Sequence, residues 1–189
     1  MTQWRVLLDL DGTVAQNAGR RIAAREFGIT LTEEQYAQRL PELLGLTDEQ
    51  FWAWWHEHQE EIYDQADLLP GAAETVRWLK ESGAYIVVVT ARRGTSEAVT
   101  RKWLHRYQIP YDQMVFGADD KVAVAKELGL NLGFEDDPNN ALALAEWLPM
   151  ILIENFKNRH EEVAHPGLYR VADWSEVLPL LATLAERSA

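Results

Sequence analysis

Asp9 and Asp11 stand one residue apart where the apolar run Val6-Leu7-Leu8 ends, and Gly12 follows them. Alternate residues of an extended chain project to the same side of the pleat, so the two carboxylates share a side. Glycine lets the backbone turn away just beyond them. Two like charges at a buried strand end cost free energy through desolvation and mutual repulsion. A hard divalent cation, a shared proton, or both would relieve that cost. The non-chemical alternative is a solvated turn with an Asp N-cap, since Asp-x-Asp-Gly also occurs in calcium loops and turns.

The same switch from apolar to polar recurs further along. Tyr85-Ile86-Val87-Val88-Val89 leads into Thr90-Ala91-Arg92-Arg93. The Thr90 hydroxyl and the Ala91 N–H suit one phosphoryl oxygen, and Arg92 could clamp a phosphate or a second anionic group of a substrate. Taken alone, this stretch also reads as an ordinary helix start with exposed arginines. Lys121 opens a helix, where a cation opposes the helix dipole. As a point charge on a flexible stem it can instead neutralise a phosphate or hold a nucleophilic carboxylate. Glu135-Asp136-Asp137 places consecutive acids after another apolar run, which is costly unless a cation or a helix N-terminus answers them. Asp137-Pro138 also suits a helix start, with proline near the first helical position.

Positioning these groups requires a parallel sheet. Apolar runs at 5–8, 85–89, 114–116, 130–134 and 150–153 alternate with amphipathic segments at 72–81, 96–107, 121–128, 139–147 and 175–186. β-α units produce this alternation, and strands covered on both faces are apolar throughout. The expected fold class is α/β, a three-layer α/β/α core. Ligands of such sheets bind outside the carboxyl ends of the strands, which is where the polar clusters lie. The interval from 15 to 69 is far longer than an ordinary connection. It carries helical periodicity at 18–27, 32–43 and 47–63, and Pro70-Gly71 closes it. An inserted helical cap is expected there, leaving 1–14 and 70–189 as the core. Thr32 and Thr47 are natural N-caps, and Glu49 falls short of the third helical position, so the Thr47 capping box is expected to be imperfect. Phe51, Trp52, Trp54 and Trp55 cluster in the last cap helix. Such rings usually pack a small core, but one of them could line a substrate cavity and stack on a nucleobase.

Composition narrows the chemistry further. With 189 residues, 47% of them hydrophobic, the chain can bury one enzyme-sized core plus an insertion. Its formal net charge of −12, from 30 acidic and 18 basic residues, argues against an extended nucleic-acid surface. A small phosphorylated molecule remains compatible, because it needs only local cations or a metal and the field is screened within about 10 Å. The absence of cysteine excludes disulfides, thiolate catalysis and Cys-bound zinc. His56 and His58 are two apart on a helix and diverge, and with His105, His160 and His165 they form no zinc-binding pair. No serine sits at a glycine-flanked turn, and no P-loop is present. Arg20, Arg21 and Arg25 read as solvated helix residues. No apolar leader and no apolar run near 20 residues is seen, so a cytoplasmic protein without a membrane partner is expected. Oligomeric state is left open.

Taken together, the motifs resemble the haloacid dehalogenase superfamily of phosphotransferases. Its first motif corresponds to Asp9-Leu10-Asp11-Gly12-Thr13, its second to Thr90, its third to Lys121 and its fourth to Glu135-Asp136-Asp137. The stretches Asp120-Lys121, Ala125-Lys126-Glu127-Leu128-Gly129, Phe134 to Asn140 and Asn155 to His160 are similar to nucleotidases related to the cytosolic 5'(3')-deoxyribonucleotidases. Two departures stand out: Thr-Ala-Arg-Arg replaces the usual Thr-Ser-Pro, and only Asn158-Arg159 matches the Pro-Trp/Tyr-Asn-Arg segment.

The resemblance implies a Mg²⁺-dependent phosphomonoesterase with Asp9 as nucleophile and Asp11 as acid and base. Thr90, Ala91 and Lys121 would then hold the phosphoryl group. Mg²⁺ would be held by Asp9, the Asp11 carbonyl and Asp136, with Glu135 in or beyond its shell and Asp137 orienting Lys121 or a metal-bound water. The implied substrate is a small phosphorylated metabolite, with a nucleoside monophosphate as one candidate. A phosphotransferase or phosphomutase of the same fold, or a catalytically silent binding module, are the alternatives.

Overall fold

The computed structural model describes residues 3–32 and 34–187. Residues 1, 2, 188 and 189 of the expected core, and residue 33 of the expected helix at 32–43, lie outside the described residues. In chain order the strands are β1 (Arg5–Leu8), β2 (Ala15–Gln16), β3 (Asp67–Leu68), β4 (Tyr85–Thr90), β5 (Gln113–Phe116), β6 (Leu132–Glu135), β7 (Met150–Ile153) and β8 (Leu168–Val171). The helices are α1 (Gly19–Phe27), α2 (Leu40–Leu44), α3 (Asp48–Asp64), α4 (Ala72–Glu81), α5 (Glu97–Arg106), α6 (Lys121–Glu127), α7 (Pro138–Ala145) and α8 (Val177–Arg187).

A six-stranded sheet runs β5-β4-β1-β6-β7-β8, with every pair parallel. The pleat of β1 explains the three layers. Val6 and Leu8 face a core shared with Val76 and Leu79 of α4, Trp103 and Leu104 of α5, and Val177 and Leu181 of α8. Leu7 faces the opposite core, with Ala125 of α6 and Leu144 and Ala145 of α7. All three β1 residues are fully buried, each contributing roughly 1.5–3 kcal/mol. Both faces of the central strand are thus covered, as its unbroken apolar character implied.

Two features were not anticipated. Leu168-Tyr169-Arg170-Val171 forms the edge strand β8, only half-buried along most of its length, so it lacks the continuous apolar signal of the others. The insertion is entered and left through the antiparallel ribbon β2–β3, which pairs Ala15 with Leu68 and Gln16 with Asp67. Two-residue strands carry no period that a sequence could reveal.

The expected helix at 32–43 is instead a 3-10 turn, Glu34–Ala37, followed by α2. Pro41 causes the break: inside a continuous helix it would remove a hydrogen bond and clash with the preceding turn. In α2 it sits in the first turn, where neither cost applies. The Thr47 capping box is complete rather than imperfect. Gln50 is the N3 residue, its N–H donating to Thr47 Oγ1 and its side chain accepting from the Thr47 N–H.

Inside the insertion, Ala18, Ile22, Ile62 and Tyr63 pack with Val99 of α5, and Ala23, Leu40 and Phe51 form a second cluster. Asp64 at the end of α3 is paired with Lys102 and Arg106 of α5. The insertion therefore rests on the helix that follows β4. No helix among the described residues is long and apolar enough to cross a membrane.

Candidate active site

Register alone brings the separated acids together. Leu8 pairs with Val88 on one side and Phe134 on the other, and the Asp9 N–H donates to the Phe134 carbonyl at 3.1 Å. Asp9 therefore leaves the sheet beside Glu135, while Thr90 ends the neighbouring strand. Asp9 is buried: one carboxylate oxygen accepts from Lys121 Nζ at 2.7 Å and the other from Thr13 Oγ1 at 2.8 Å. Lys121 is the first residue of α6, where Asp120 caps the helix by accepting from the Ala123 N–H. Its ammonium also donates to both Glu135 oxygens, at 2.9 and 3.2 Å. Asn140 Nδ2 donates to Glu135 Oε1 at 2.9 Å.

Asp136 is fixed from the loop after β7. Asn155 Nδ2 donates to its Oδ2 at 2.8 Å, and Asn158 Nδ2 bridges the carbonyls of Asp136 and Ile153 at 2.7 and 2.8 Å. Gly12 makes room beside it: a Cβ there would lie 1.9 Å from Asp136 Oδ2, and its φ of +94° suits glycine. Gly12→Ala should therefore lower the melting temperature and weaken divalent-cation binding about 10-fold or more, since supporting groups of metal ligands typically matter at that level. A thermal scan and a calorimetric titration would check both; unchanged cation affinity would refute the close fit.

Oxygens of Asp9, Glu135 and Asp136 lie within 4.8 Å of one another, all buried. Burial first, and then the charge of Asp9, push the Glu135 carboxyl well above the usual range. The same two causes raise Asp136 to about 7, against the opposing pull of Lys157 and Asn155. Burial disfavours the Lys121 charge, but Asp9 and Glu135 outweigh it and hold the ammonium above its ordinary value. The acids thus remain under-neutralised. Buried, hard oxygen donors with excess negative charge and no histidine in the cluster fit a hard divalent cation such as Mg²⁺.

The other expected residues fall into two groups. Thr90 is buried at the end of β4, accepting from the Arg92 N–H, and Ala91 follows at an exposed position. Asp137 serves neither Lys121 nor the metal cluster. With Pro138 in the first turn it is the N-cap of α7, accepting from the Asn139 and Asn140 N–H groups, and Glu135 takes the place beside Lys121. The Asp11 side chain lies outside the metal cluster, so only its main-chain carbonyl remains for a cation. Its carboxylate instead accepts two bonds from Arg92, from Nε at 2.7 Å and Nη2 at 2.8 Å. Arg92, read as a clamp for a substrate anion or else as an exposed residue of a helix start, is buried, whereas Arg93 is exposed and paired with Asp119. Thr13, Asn140, Asn155 and Asn158 were given no role in the sequence analysis. All four lay inside quoted motifs, but asparagine side chains carry no periodic signal.

Two cavities adjoin one another, and one of them reaches Asp11. One, of about 430 Å³, is lined by Asp11, Ala91, Arg92, Trp55 and Tyr63. The other, of about 470 Å³, is lined by Arg20, Phe51, Trp55, Phe156 and Lys157. Trp52 and Trp55 border both, and Trp52 is 53% exposed, whereas Phe51 is buried in the insertion. Arg20 is not simply solvated: it donates to the carbonyls of Gln35 and Gln38 and lies against the Phe156 and Tyr36 rings. Arg21 and Arg25 are exposed and paired with Asp67 and Glu61.

Comparison with known proteins places the chain in a family. Residues 3–187 match the family model described as "5' nucleotidase, deoxy (Pyrimidine), cytosolic type C protein". The chain is 32% identical over 179 residues to "Putative nucleotidase BH1399" of Halalkalibacterium halodurans, covering 92% of this chain and 90% of that one. It is 30% identical over 179 residues to "Putative nucleotidase YqfW" of Bacillus subtilis, covering 92% and 91%. The crystal structure of CbbY from Rhodobacter sphaeroides in complex with phosphate superposes with a TM-score of 0.62 at 19% identity, over 93% of this chain and 96% of that one, a likeness of fold. The chain belongs to the cytosolic type C 5'-(deoxy)nucleotidase family and is a phosphatase built on the haloacid dehalogenase fold.

Proposed function

We propose that this enzyme is a Mg²⁺-dependent phosphomonoesterase acting through an aspartyl-phosphate, with a nucleoside or deoxynucleoside monophosphate as substrate. The observation that carries this reading is the convergence of Asp9, Lys121, Glu135 and Asp136 at one sheet edge, with Asp11, two residues beyond Asp9, lining an aromatic cavity. Residues 1–14 and 70–189 supply the chemistry and 15–69 caps it. The family's cytosolic type supports a cytoplasmic location.

In the first step an Asp9 oxygen attacks phosphorus, the bond to the leaving oxygen breaks, and Asp11 donates a proton to that oxygen. In the second, water attacks phosphorus, Asp11 takes its proton, and the Asp9 carboxylate is released with inorganic phosphate. Dividing the displacement splits one difficult transfer into two easier ones and returns the Asp9 carboxylate at the end of each cycle, and a positioned acid contributes about 10²–10⁴-fold. Lys121 and Thr90 with the Ala91 N–H hold the non-bridging oxygens, whose charge must be balanced throughout the transfer. Asp9, Asp136 and the Asp11 carbonyl would hold Mg²⁺, which offsets the repulsion between a carboxylate nucleophile and a phosphate. Glu135 keeps Lys121 in place.

The cleft rings support a nucleoside: stacking on an aromatic side chain contributes about 1–3 kcal/mol per base. Trp52→Ala should lower kcat/KM for nucleoside monophosphates by about 10-fold or more relative to glycerol phosphate, which has no ring to stack. An equal loss on both substrates would remove the nucleoside from this reading, and ¹⁸O from water failing to appear in the released phosphate would remove hydrolysis.

A further inference from the structure

Arg92 follows a motif threonine, and the sequence suggested that it reaches outward to a substrate anion. The structure turns it the other way. Its Nε and Nη2 grip both oxygens of Asp11, its Nη1 donates to Thr100 Oγ1 at 3.1 Å, and its guanidinium lies 3.9 Å from the centre of the Tyr63 ring. Few donors are left for a ligand. The two partners also differ in exposure: the Arg92 side chain is 1% accessible and the Asp11 side chain 26%. A buried fork beneath a carboxylate that faces the cleft is the arrangement of a support under a working group, and two parallel bonds fix both the position and the plane of the acid.

Arg92 is itself held from both sides of the cleft. Thr100 belongs to α5, and Tyr63 lies in the last turn of α3 of the insertion. The Tyr63 hydroxyl accepts from Trp55 Nε1 at 3.3 Å, and Trp55 borders both cavities. A cation against an aromatic face in a desolvated site is attracted by the ring's quadrupole, which biases where the guanidinium sits. Contacts thus run from a cleft-lining ring of the insertion through Tyr63 and Arg92 to Asp11.

We propose that Arg92 is the positioning residue for the Asp11 carboxylate, held to that task by the Tyr63 ring of the insertion. This rests on Asp11 being the proton donor to the leaving oxygen. The test uses two substrates and the whole enzyme. For p-nitrophenyl phosphate the phenolate departs without a proton, whereas glycerol phosphate expels an alkoxide that needs one. Values of kcat/KM report only the steps through leaving-group departure, so their ratio isolates proton donation from later hydrolysis of the aspartyl-phosphate.

Asp11→Asn should lower the glycerol phosphate to nitrophenyl phosphate ratio by about 10²–10⁴-fold. Arg92→Met should lower it by about 10–10²-fold, Arg92→Lys by less because the cation is kept without the fork, and Tyr63→Leu by a smaller factor in the same direction. Combining Arg92→Met with Asp11→Asn should lower it no further than Asp11→Asn alone.

If Asp11→Asn leaves the ratio unchanged, the acid assignment itself fails, and the inference with it. If Asp11→Asn shifts the ratio but Arg92→Met and Arg92→Lys lower both substrates equally, or neither, the inference alone is overturned. Loss of the folded state in both Arg92 variants, seen by circular dichroism, would make Arg92 a structural strut and overturn it too.

Discussion

Asp9→Asn is expected to reduce turnover of any phosphomonoester by about 10⁴-fold or more, the scale seen when a nucleophile is removed, while leaving the protein folded. The amide keeps nearly the same shape, with its one oxygen to accept from Lys121 and its NH2 to donate to the Thr13 hydroxyl, which now bonds the second Asp9 oxygen. It removes one charge from a cluster in which Asp9 raises both Glu135 and Asp136. Lys121 keeps Glu135 as a partner. Relief of repulsion should therefore hold the melting temperature level or raise it, which separates loss of chemistry from loss of fold. Steady-state assays with nitrophenyl and nucleoside substrates, run beside a thermal scan, make the comparison. A folded variant that retains more than about a tenth of wild-type turnover would sink the aspartyl-phosphate mechanism.

Removing divalent metal should abolish turnover and reveal a pH dependence of stability with a definite sign. Asp136 is raised to about 7 in the fold, by burial and then by Asp9, against about 4 for an exposed aspartate. Between those values the folded state binds a proton that the unfolded chain has released, so its stability falls as pH rises through that window. A shift of about 3 pH units corresponds to at most on the order of 4 kcal/mol, shared with Glu135. Metal-free protein should therefore melt several degrees lower at pH 8 than at pH 5, beyond any trend seen in Asp136→Asn. Mg²⁺ binds the ionised carboxylates, so the stabilisation it adds should grow across the same window. Differential scanning fluorimetry at both pH values, with and without Mg²⁺, measures each term. An equal Mg²⁺ effect at pH 5 and pH 8, or none at either, would show that these acids are not the ligands.

Much of the architecture was legible because its signals are local. Continuous apolar runs marked five strands of the large sheet, since a strand covered on both faces has no polar side to show. The excessive length from 15 to 69 set that interval apart from the β-α units, and the acids, threonine and lysine could be assigned to strand ends. Signals weakened where burial was partial or elements were short. Edge strand β8 mixes polar and apolar residues, β2 and β3 are two residues each, and Pro41 divided a stretch whose periodicity suggested one helix.

Within the site, residue types pointed to Asp9, Asp11, Thr90, Lys121 and the acids at 135–137, but only distance sorted them. Parallel register sets Asp9 beside Glu135, and a helix start brings Lys121 onto both. Asp137, chemically indistinguishable from Asp136 in the sequence, is claimed by the helix N-terminus that Pro138 creates. Arg92 and Asp11 are 81 residues apart, and nothing local to either could disclose that one grips the other. The sequence by itself determined the α/β class, the strand ends at which chemistry must occur, and the kind of chemistry, because those follow from period and residue type. Tertiary structure alone decided which carboxylates cluster together, which arginine faces inward and which aromatic rings line the cleft, because these depend on side chains distant in the chain meeting across a packed core.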